Sequence, residues 1–494
     1  MINWHTIFLL LMQFVCFTII GTIILKRNNN KISFVLYIVF ASVFYTALMQ
    51  LIQYTSVSAL LILTAFFVIV DGIEKGELNK KHKIISIVLF TLGILLRLQS
   101  LLIIAPFFLI YGIYYCILKI RKKISKEILI KLIKQYLILG VITILVYISN
   151  VLFYSSDLYK EYIEYNNLRG TLQDTSYTNY EENKEIFDEI GWSENDHYLF
   201  YTFNFGDENV YSKENLQKIV DYKKSINEYY NLNLDFEEVT NSLLEEMKNT
   251  NPYLVIMLII TFVIALYTNR EKTGFIISIF LVTILVNMLF IVLNRSMQRV
   301  VIPEYILGTA MMLYFIKYNN REKSEKEDFR LEAISIFIIV VTIIFAGGKY
   351  QYNYHLEDYS NYKNVINYTN EHKENVYLYT VPSLQYRYLV YSVYTMPPKG
   401  AFSNLRVMGG WDMFTKNYYD FKERYNLDGT FLDLLKDNVY LIDGDVIWSG
   451  NYYHNYINNI VLFIKEHYNK NVSYEKIKTF DNIYIYKLHE EVAE

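Results

Sequence analysis

Few side chains in this 494-residue chain are placed to do chemistry, and most of them are arginines and carboxylates beside apolar runs. Arg97 and Gln99 stand in the run Leu-Arg-Leu-Gln-Ser between two apolar stretches, and Gln50 and Gln53 interrupt an earlier pair. Arg295, Arg299 and Glu304 flank another break. Arg169 and Asp174 follow a long apolar run, and Asn195, Asp196 and His197 lie further along the same polar stretch. A guanidinium between apolar segments is costly unless it lines a polar cavity or meets an anion, and its planar fork suits phosphate. A carboxylate nearby can take a proton from a hydroxyl group. Arg97, Gln99, Arg169, Arg295 and Arg299 are therefore candidate substrate-binding residues, and Asp174, Asp196 and Glu304 candidate catalytic carboxylates. The plainer reading is interfacial anchoring, since Arg and Gln at the ends of apolar segments commonly snorkel toward water.

Other chemistries find no support. The eight histidines show neither HxxxH nor HExxH spacing, so no metal ligand set is read and a divalent metal has no support in the spacing. There is no GxSxG elbow, no GxGxxG and no P-loop, and Gly409-Gly410 alone is weak evidence for a nucleotide. Cys16 and Cys116 both sit in apolar runs, which fits small buried hydrophobes rather than a disulfide framework. A net charge of −3 gives no basic footprint for nucleic acid.

The elements that must hold these residues are apolar. Hydrophobic residues make up 53% of the chain and charged residues 20%, below the ~25% of ordinary globular proteins. The deficit is concentrated in long runs separated by short basic knots. About ten membrane spans are expected. They are 7–25, 32–49, 56–70, 84–96, 101–118, 136–153, 252–267, 274–293, 301–316 and 333–346. The stretch 84–96 is short for a full crossing and is expected to cross or re-enter. The connections 26–31, 71–83, 119–134, 270–272 and 317–330 carry 21 Lys and Arg; the short connections on the other side carry three, Arg97, Arg295 and Arg299. This positive-inside asymmetry places the basic knots in the cytoplasm and both large polar regions, 154–251 and 347–494, outside. It also places the N-terminus outside, without a basic n-region; an alternative is that an upstream span precedes Met1. The segment 119–134 reads equally as a basic amphipathic helix on an anionic leaflet or as the cytoplasmic extension of a span.

The chain thus divides into spans one to six (1–153), an external loop (154–251), spans seven to ten (252–346) and an external C-terminal domain (347–494). The loop is rich in aromatic residues and has helix starts at Ser193 with Asp196, at Ser212 and at Asp235, so a compact helical cap is expected. The C-terminal region alternates strands and helices: strands at 375–380, 405–408 and 438–442, helices at 383–394, 415–425 and 453–467, and a closing hairpin of 474–480 with 483–488. A small α/β domain with mostly parallel strands follows.

Multi-pass hairpins, a large external loop and an external α/β domain resemble the polytopic GT-C glycosyltransferases, which transfer sugars from polyprenyl-phosphate donors on the outer leaflet. Tyr165–Arg169, Gly191–Asp196, Gly409–Asp412 and Asn482–Leu488 also resemble segments of uncharacterised multi-pass proteins of low-GC bacteria, in keeping with the abundance of Tyr, Ile, Asn and Lys. The resemblance implies an envelope-glycan transferase in a bacterial membrane, with the bilayer, a polyprenyl-phosphate lipid and a glycan acceptor as partners; the residues make no cofactor evident, and a divalent metal stays open without support from the sequence. It departs at one point. Those enzymes carry an acidic residue in their first external loop, where this chain has Gln50–Thr55 without one; Asp174, Asp196 and Glu304 are the substitutes. A glycolipid flippase and a non-catalytic membrane module with an external binding domain are the competing expectations. The scarcity of prolines and the lack of a repeated half count against the flippase.

Overall fold

A computed structural model describes residues 3–28, 31–50, 52–76, 78–121, 125–175, 177–226, 235–250, 252–293, 295–317, 360–384, 390–391, 396–448 and 452–491. In chain order it contains α1 (Trp4–Arg27), α2 (Lys31–Gln50), α3 (Tyr54–Glu74), α4 (Lys80–Leu96), α5 (Ser100–Ile120) and α6 (Lys126–Tyr154). Four shorter helices follow, α7 (Asp157–Gly170), α8 (Lys184–Ile190), α9 (Glu194–Tyr201) and α10 (Lys213–Ser225). Next come α11 (Phe236–Glu245), α12 (Pro252–Thr268), α13 (Thr273–Val292) and α14 (Gln298–Phe315). The C-terminal region holds α15 (Ser360–Glu371), β1 (Val376–Tyr379), β2 (Leu405–Val407), α16 (Lys416–Tyr425), β3 (Val439–Gly444), β4 (Val446–Trp448), β5 (Tyr452–His454), α17 (Ile457–Tyr468), β6 (Val472–Phe480) and β7 (Ile483–Glu490). The expected tenth span, 333–346, lies outside the described residues, as do most of 317–330 and part of the expected helix 383–394.

Among the described residues, five helical segments are long and apolar enough to cross a membrane: Trp4–Arg27, Tyr54–Glu74, Ser100–Ile120, Lys126–Tyr154 and Arg270–Val292. A sixth arises if Phe236–Lys248 and Pro252–Thr268, bent by 95° at their junction, are one broken span. Each of the other expected spans among the described residues is also a helix. The chain passes 119–134 within helical structure on both sides of residues 122–124, and α6 runs unbroken from Lys126 into the sixth expected span, which makes that part of the basic segment a helical extension.

The chain forms two compact units. The helical one comprises Trp4–Asn150 and the described part of 232–355. Its centre is α3, buried from Thr55 to Ile73, and α14, buried from Val301 to Phe315. A helix that is apolar all round belongs in the interior of a bundle. Gly93 allows α4 to approach α3: a Cβ there would fall 2.7 Å from Ile62 and 3.0 Å from the Ser58 carbonyl. By contrast α6 buries only Leu132, Gln135 and Leu139, and its remaining apolar surface is left outside the bundle.

The second unit joins Val151–Asn231 to the described part of 356–494. Its sheet has the order β2-β1-β3-β7-β6. The first three strands are parallel, and β7 and β6 run antiparallel as the expected C-terminal hairpin, so the sheet is mixed rather than mostly parallel. A two-stranded ribbon, β4-β5, precedes α17. One apolar core takes Trp192, Phe200 and Tyr211 from the first segment and Val439, Leu441 and Phe463 from the second. The described part of the polar stretch up to residue 226, expected as a helical cap, thus belongs to the same fold as the sheet.

Candidate functional site

In the helical unit the Arg97 side chain and the Arg299 backbone both meet the first turn of α3, while the Arg299 guanidinium turns to Met297 Sδ at 2.8 Å. Arg97 closes α4, and its Nη1 donates to Thr55 Oγ1 at 2.6 Å while the guanidinium carbon lies 5.8 Å from the centre of the Tyr54 ring. The next residue, Ser56, is fully buried and donates to the Arg299 carbonyl at 3.2 Å. Sequence explains this bond. In a helix the Arg299 carbonyl would accept the N–H of residue 303, which is Pro303 and has none. A buried carbonyl left without a partner is costly, and the Ser56 hydroxyl supplies the missing donor. Ser58 does the same for the end of α4, donating to the Gly93 carbonyl at 2.7 Å and reaching the Arg97 carbonyl at 3.1 Å. Both arginine backbones are therefore fixed by hydroxyls of α3. Arg299 is half-buried, whereas Gln99 and Arg295 are exposed.

Five residues beyond Arg299, about 7.5 Å along α14, stands Glu304. It is completely buried, and neither carboxylate oxygen has a hydrogen-bond partner. Glu246, in the π-helical turn after α11, is near enough for the two carboxylates to act on each other electrostatically. Glu246 accepts from Ser296 Oγ at 2.5 Å and lies beside Asn287. Asn287 donates to Tyr305 Oη at 3.0 Å, and its own carbonyl oxygen is buried without a partner. Three buried acceptor oxygens, two from Glu304 and one from Asn287, thus lack donors. An orphaned acid inside a helical bundle is expensive enough to imply use. Glu246, Asn287 and Tyr305 were not singled out in the sequence; a polar residue inside the apolar run 274–293 was the available signal.

The opposite end of the same unit holds a second charged network. Glu74 meets Arg27 at 3.6 Å, pairs with Lys272 and accepts from Tyr115 Oη at 2.7 Å. Asp71 pairs with Lys75 at 2.9 Å, approaches His82 at 3.5 Å and accepts from Tyr314 Oη at 3.1 Å. Every carboxylate here is matched, which marks this end as structural by comparison with Glu304.

The remaining candidates lie in the sheet unit. Arg169 is buried and fully engaged: Nε and Nη2 bond Asn166 Oδ1 at 3.1 and 2.7 Å, Nη1 bonds Gln173 Oε1 at 2.8 Å, and the group sits 5.5 Å from the centre of the Trp411 ring. Burial pulls its guanidinium below the usual range while the Asp174 charge works the other way. Asp174 itself is exposed in a π-helical turn, Thr171–Thr175. Asp196 is buried in a capping box with Ser193 at the start of α9 and meets His467 Nε2 at 2.8 Å. His197 donates to or accepts from no carboxylate; its Nε2 faces the Thr178 carbonyl at 2.7 Å, and burial holds it below the usual histidine range.

The crevice beyond the carboxyl ends of parallel strands is where α/β sheets usually take ligands. Here the protein's own chain occupies it. Gly409 adopts φ +108°, and a Cβ there would fall 2.6 Å from the Phe203 carbonyl and 2.7 Å from the Phe205 nitrogen. Asn204 Oδ1 accepts from Val381 N at 3.0 Å at the end of β1. The pair Gly409-Gly410 therefore serves the close approach of residues 203–206. Asp443, at the end of β3, is taken up by Thr380 Oγ1 at 2.7 Å and by the N–H groups of Tyr456 and Ile457 at 2.6 and 2.9 Å.

Fold and site together define a mostly helical protein with several helices long and apolar enough to cross a membrane, a mixed-sheet α/β unit and a desolvated carboxylate in its bundle. Comparison of the chain with family models, with curated proteins and with solved structures finds no match.

Proposed function

We propose that this chain is a bacterial membrane glycosyltransferase that uses a polyprenyl-phosphate-linked sugar on the outer leaflet, with about ten spans and both large polar regions outside. The observation that carries the reading is the start of α3, where Thr55 and Ser56 hold Arg97 and the Arg299 backbone one residue apart, with Glu304 one and a half turns further into the bundle. The two guanidinium groups are the donor-phosphate ligands, because a fixed cation stabilises the departing lipid phosphate most as its charge develops. Glu304, with Glu246 beside it, supplies the carboxyl group missing from Gln50–Thr55 and takes the acceptor proton once it has released its own. The basic asymmetry of the connections supports the orientation.

The test is transfer of labelled sugar from polyprenyl phosphate in membranes carrying the wild-type chain, Arg97→Ala, Arg299→Ala or Glu304→Gln. Each variant is expected to insert normally and lose about 100-fold or more in transfer rate. Full activity in all three variants would overturn the assignment. The orphaned Glu304 also favours a second reading, a proton-coupled glycolipid flippase, because a buried acid that can take up and release a proton is what such a carrier needs. Movement of labelled lipid across a vesicle without covalent change, lost in Glu304→Gln, would select it.

A further inference from the structure

A second site lies in the sheet unit and uses none of the residues of that proposal. Asp196 opens α9, and Glu466 and His467 end α17, so the residues come from segments about 270 positions apart in sequence. One potential ligand atom from each lies within 4.8 Å of the other two. His467 Nε2 is 2.8 Å from Asp196 Oδ2, and Ser193 Oγ donates to Glu466 Oε2 at 2.9 Å. Apart from that proximity, the Asp196 carboxylate is fully buried, and its other oxygen, Oδ1, has no hydrogen-bond partner. Oδ2 already takes the Ser193 N–H at 2.7 Å as well as the imidazole. An ion pair between His467 and Asp196 accounts for Oδ2 but leaves Oδ1 desolvated and unused, which a structural pair has no reason to do.

We infer that Asp196, Glu466 and His467 bind a divalent transition-metal ion, Zn2+ by preference. One imidazole and two carboxylates balance the ion's charge. The nitrogen ligand selects zinc over magnesium or calcium, which take oxygen alone. Atoms spread over 4.8 Å or less draw in around a centre with metal–ligand bonds of about 2.0–2.2 Å by side-chain rotation. Asp196 would offer the ion a carboxylate oxygen while the Ser193 N–H keeps the group in place. Access is open, because Glu466 is exposed and His467 is half-buried, and the same opening leaves the fourth position to water. The ion would tie the first turn of α9 to the last turn of α17.

The full-length protein, solubilised and stripped with a chelator, is titrated calorimetrically with Zn2+, and Co2+ is used in parallel for its ligand-field absorption. One equivalent should bind to the wild type, with a Co2+ spectrum of mixed nitrogen and oxygen ligands. Glu466→Gln changes an exposed side chain and should keep the chelator-stripped unfolding midpoint, whereas His467→Gln removes the partner of the buried Asp196 and should lower it. Each should weaken Zn2+ by at least about tenfold, and His467→Gln should alter the Co2+ spectrum. No binding by the wild type at submillimolar Zn2+ overturns the inference, and so does unchanged affinity in both variants. None of these readouts depends on sugar transfer, so the site stands or falls separately from the proposed activity.

Discussion

At the scale of single residues, the informative bond joins Ser56 to Arg299. Glu304 was singled out in the sequence, and the rule that a proline, here Pro303, frees the carbonyl four residues earlier is local and legible. That Ser56 answers it was not legible, because 243 residues separate the two and nothing in either segment refers to the other. The same holds for Glu246 and Glu304, and for His467 and Asp196: the sequence showed one member of each pair, and only the fold supplies its neighbour. The bond has a measurable signature. Ser56→Ala should destabilise the solubilised protein by about 1–3 kcal/mol, the cost of an unsatisfied buried carbonyl. In a Pro303→Ala background the N–H of residue 303 returns to the Arg299 carbonyl, and the same serine change should cost only a few tenths of that. A double-mutant cycle on unfolding midpoints reads the difference directly. Equal costs in the two backgrounds would mean that the hydroxyl is not standing in for the missing amide.

Among the elements, helices and strands followed their local signals closely. Ser193 with Asp196, Ser212 and Asp235 all cap the helices their sequence announced. The hairpin of β6 and β7 turns at Asp481-Asn482 as read. The start of α17 was placed four residues early, because Tyr452–His454 pair as a strand with Val446–Trp448 and the helix begins only at Ile457. Its first N–H groups are satisfied from another strand, by Asp443, a capping arrangement with no local pattern to betray it. Burial is the main influence on that carboxyl, outweighing its hydrogen bonds and pushing it up to about 6 from the ordinary 3.8. Since the folded state then holds the proton more tightly than the unfolded one, Asp443 favours folding fully below the unfolded value, and this contribution is lost as pH rises through about 6. Between about pH 4.5 and 7.5 the loss amounts to about 2 kcal/mol. Asp443→Asn does not titrate. Hydrogen exchange of the 456–468 segment in the full chain, corrected for intrinsic rates, should therefore show protection that falls with pH in the wild type relative to the variant. A constant difference between the two proteins across that range would contradict the linkage.

For the molecule as a whole, composition and periodicity established the helical bundle, and the reason is physical: apolar runs of span length leave few alternatives to a helix. The shared core of 151–231 and 356–491 was hidden for the opposite reason. Aromatic residues such as Trp192 and Phe463 advertise burial but not the partner they are buried against. Orientation rests on a different kind of signal, the 21-to-3 imbalance of Lys and Arg between the two sets of connections, and it makes a claim the fold alone does not. With Cys16 and Cys116 replaced by alanine, single cysteines are placed at three exposed positions, Lys81 between α3 and α5, Glu185 in α8 and Lys478 in β6. If the basic knots face the cytoplasm, a membrane-impermeant maleimide added to intact cells modifies Glu185→Cys and Lys478→Cys and reaches Lys81→Cys only after permeabilisation. The two sheet-unit positions must behave alike, since one core binds their segments together. Labelling of Lys81→Cys in intact cells, with protection of the other two, would invert the topology. It would also remove the outer-leaflet donor from the proposed reaction, because the end of the bundle carrying Arg97, Arg299 and Glu304 would then face the cytoplasm.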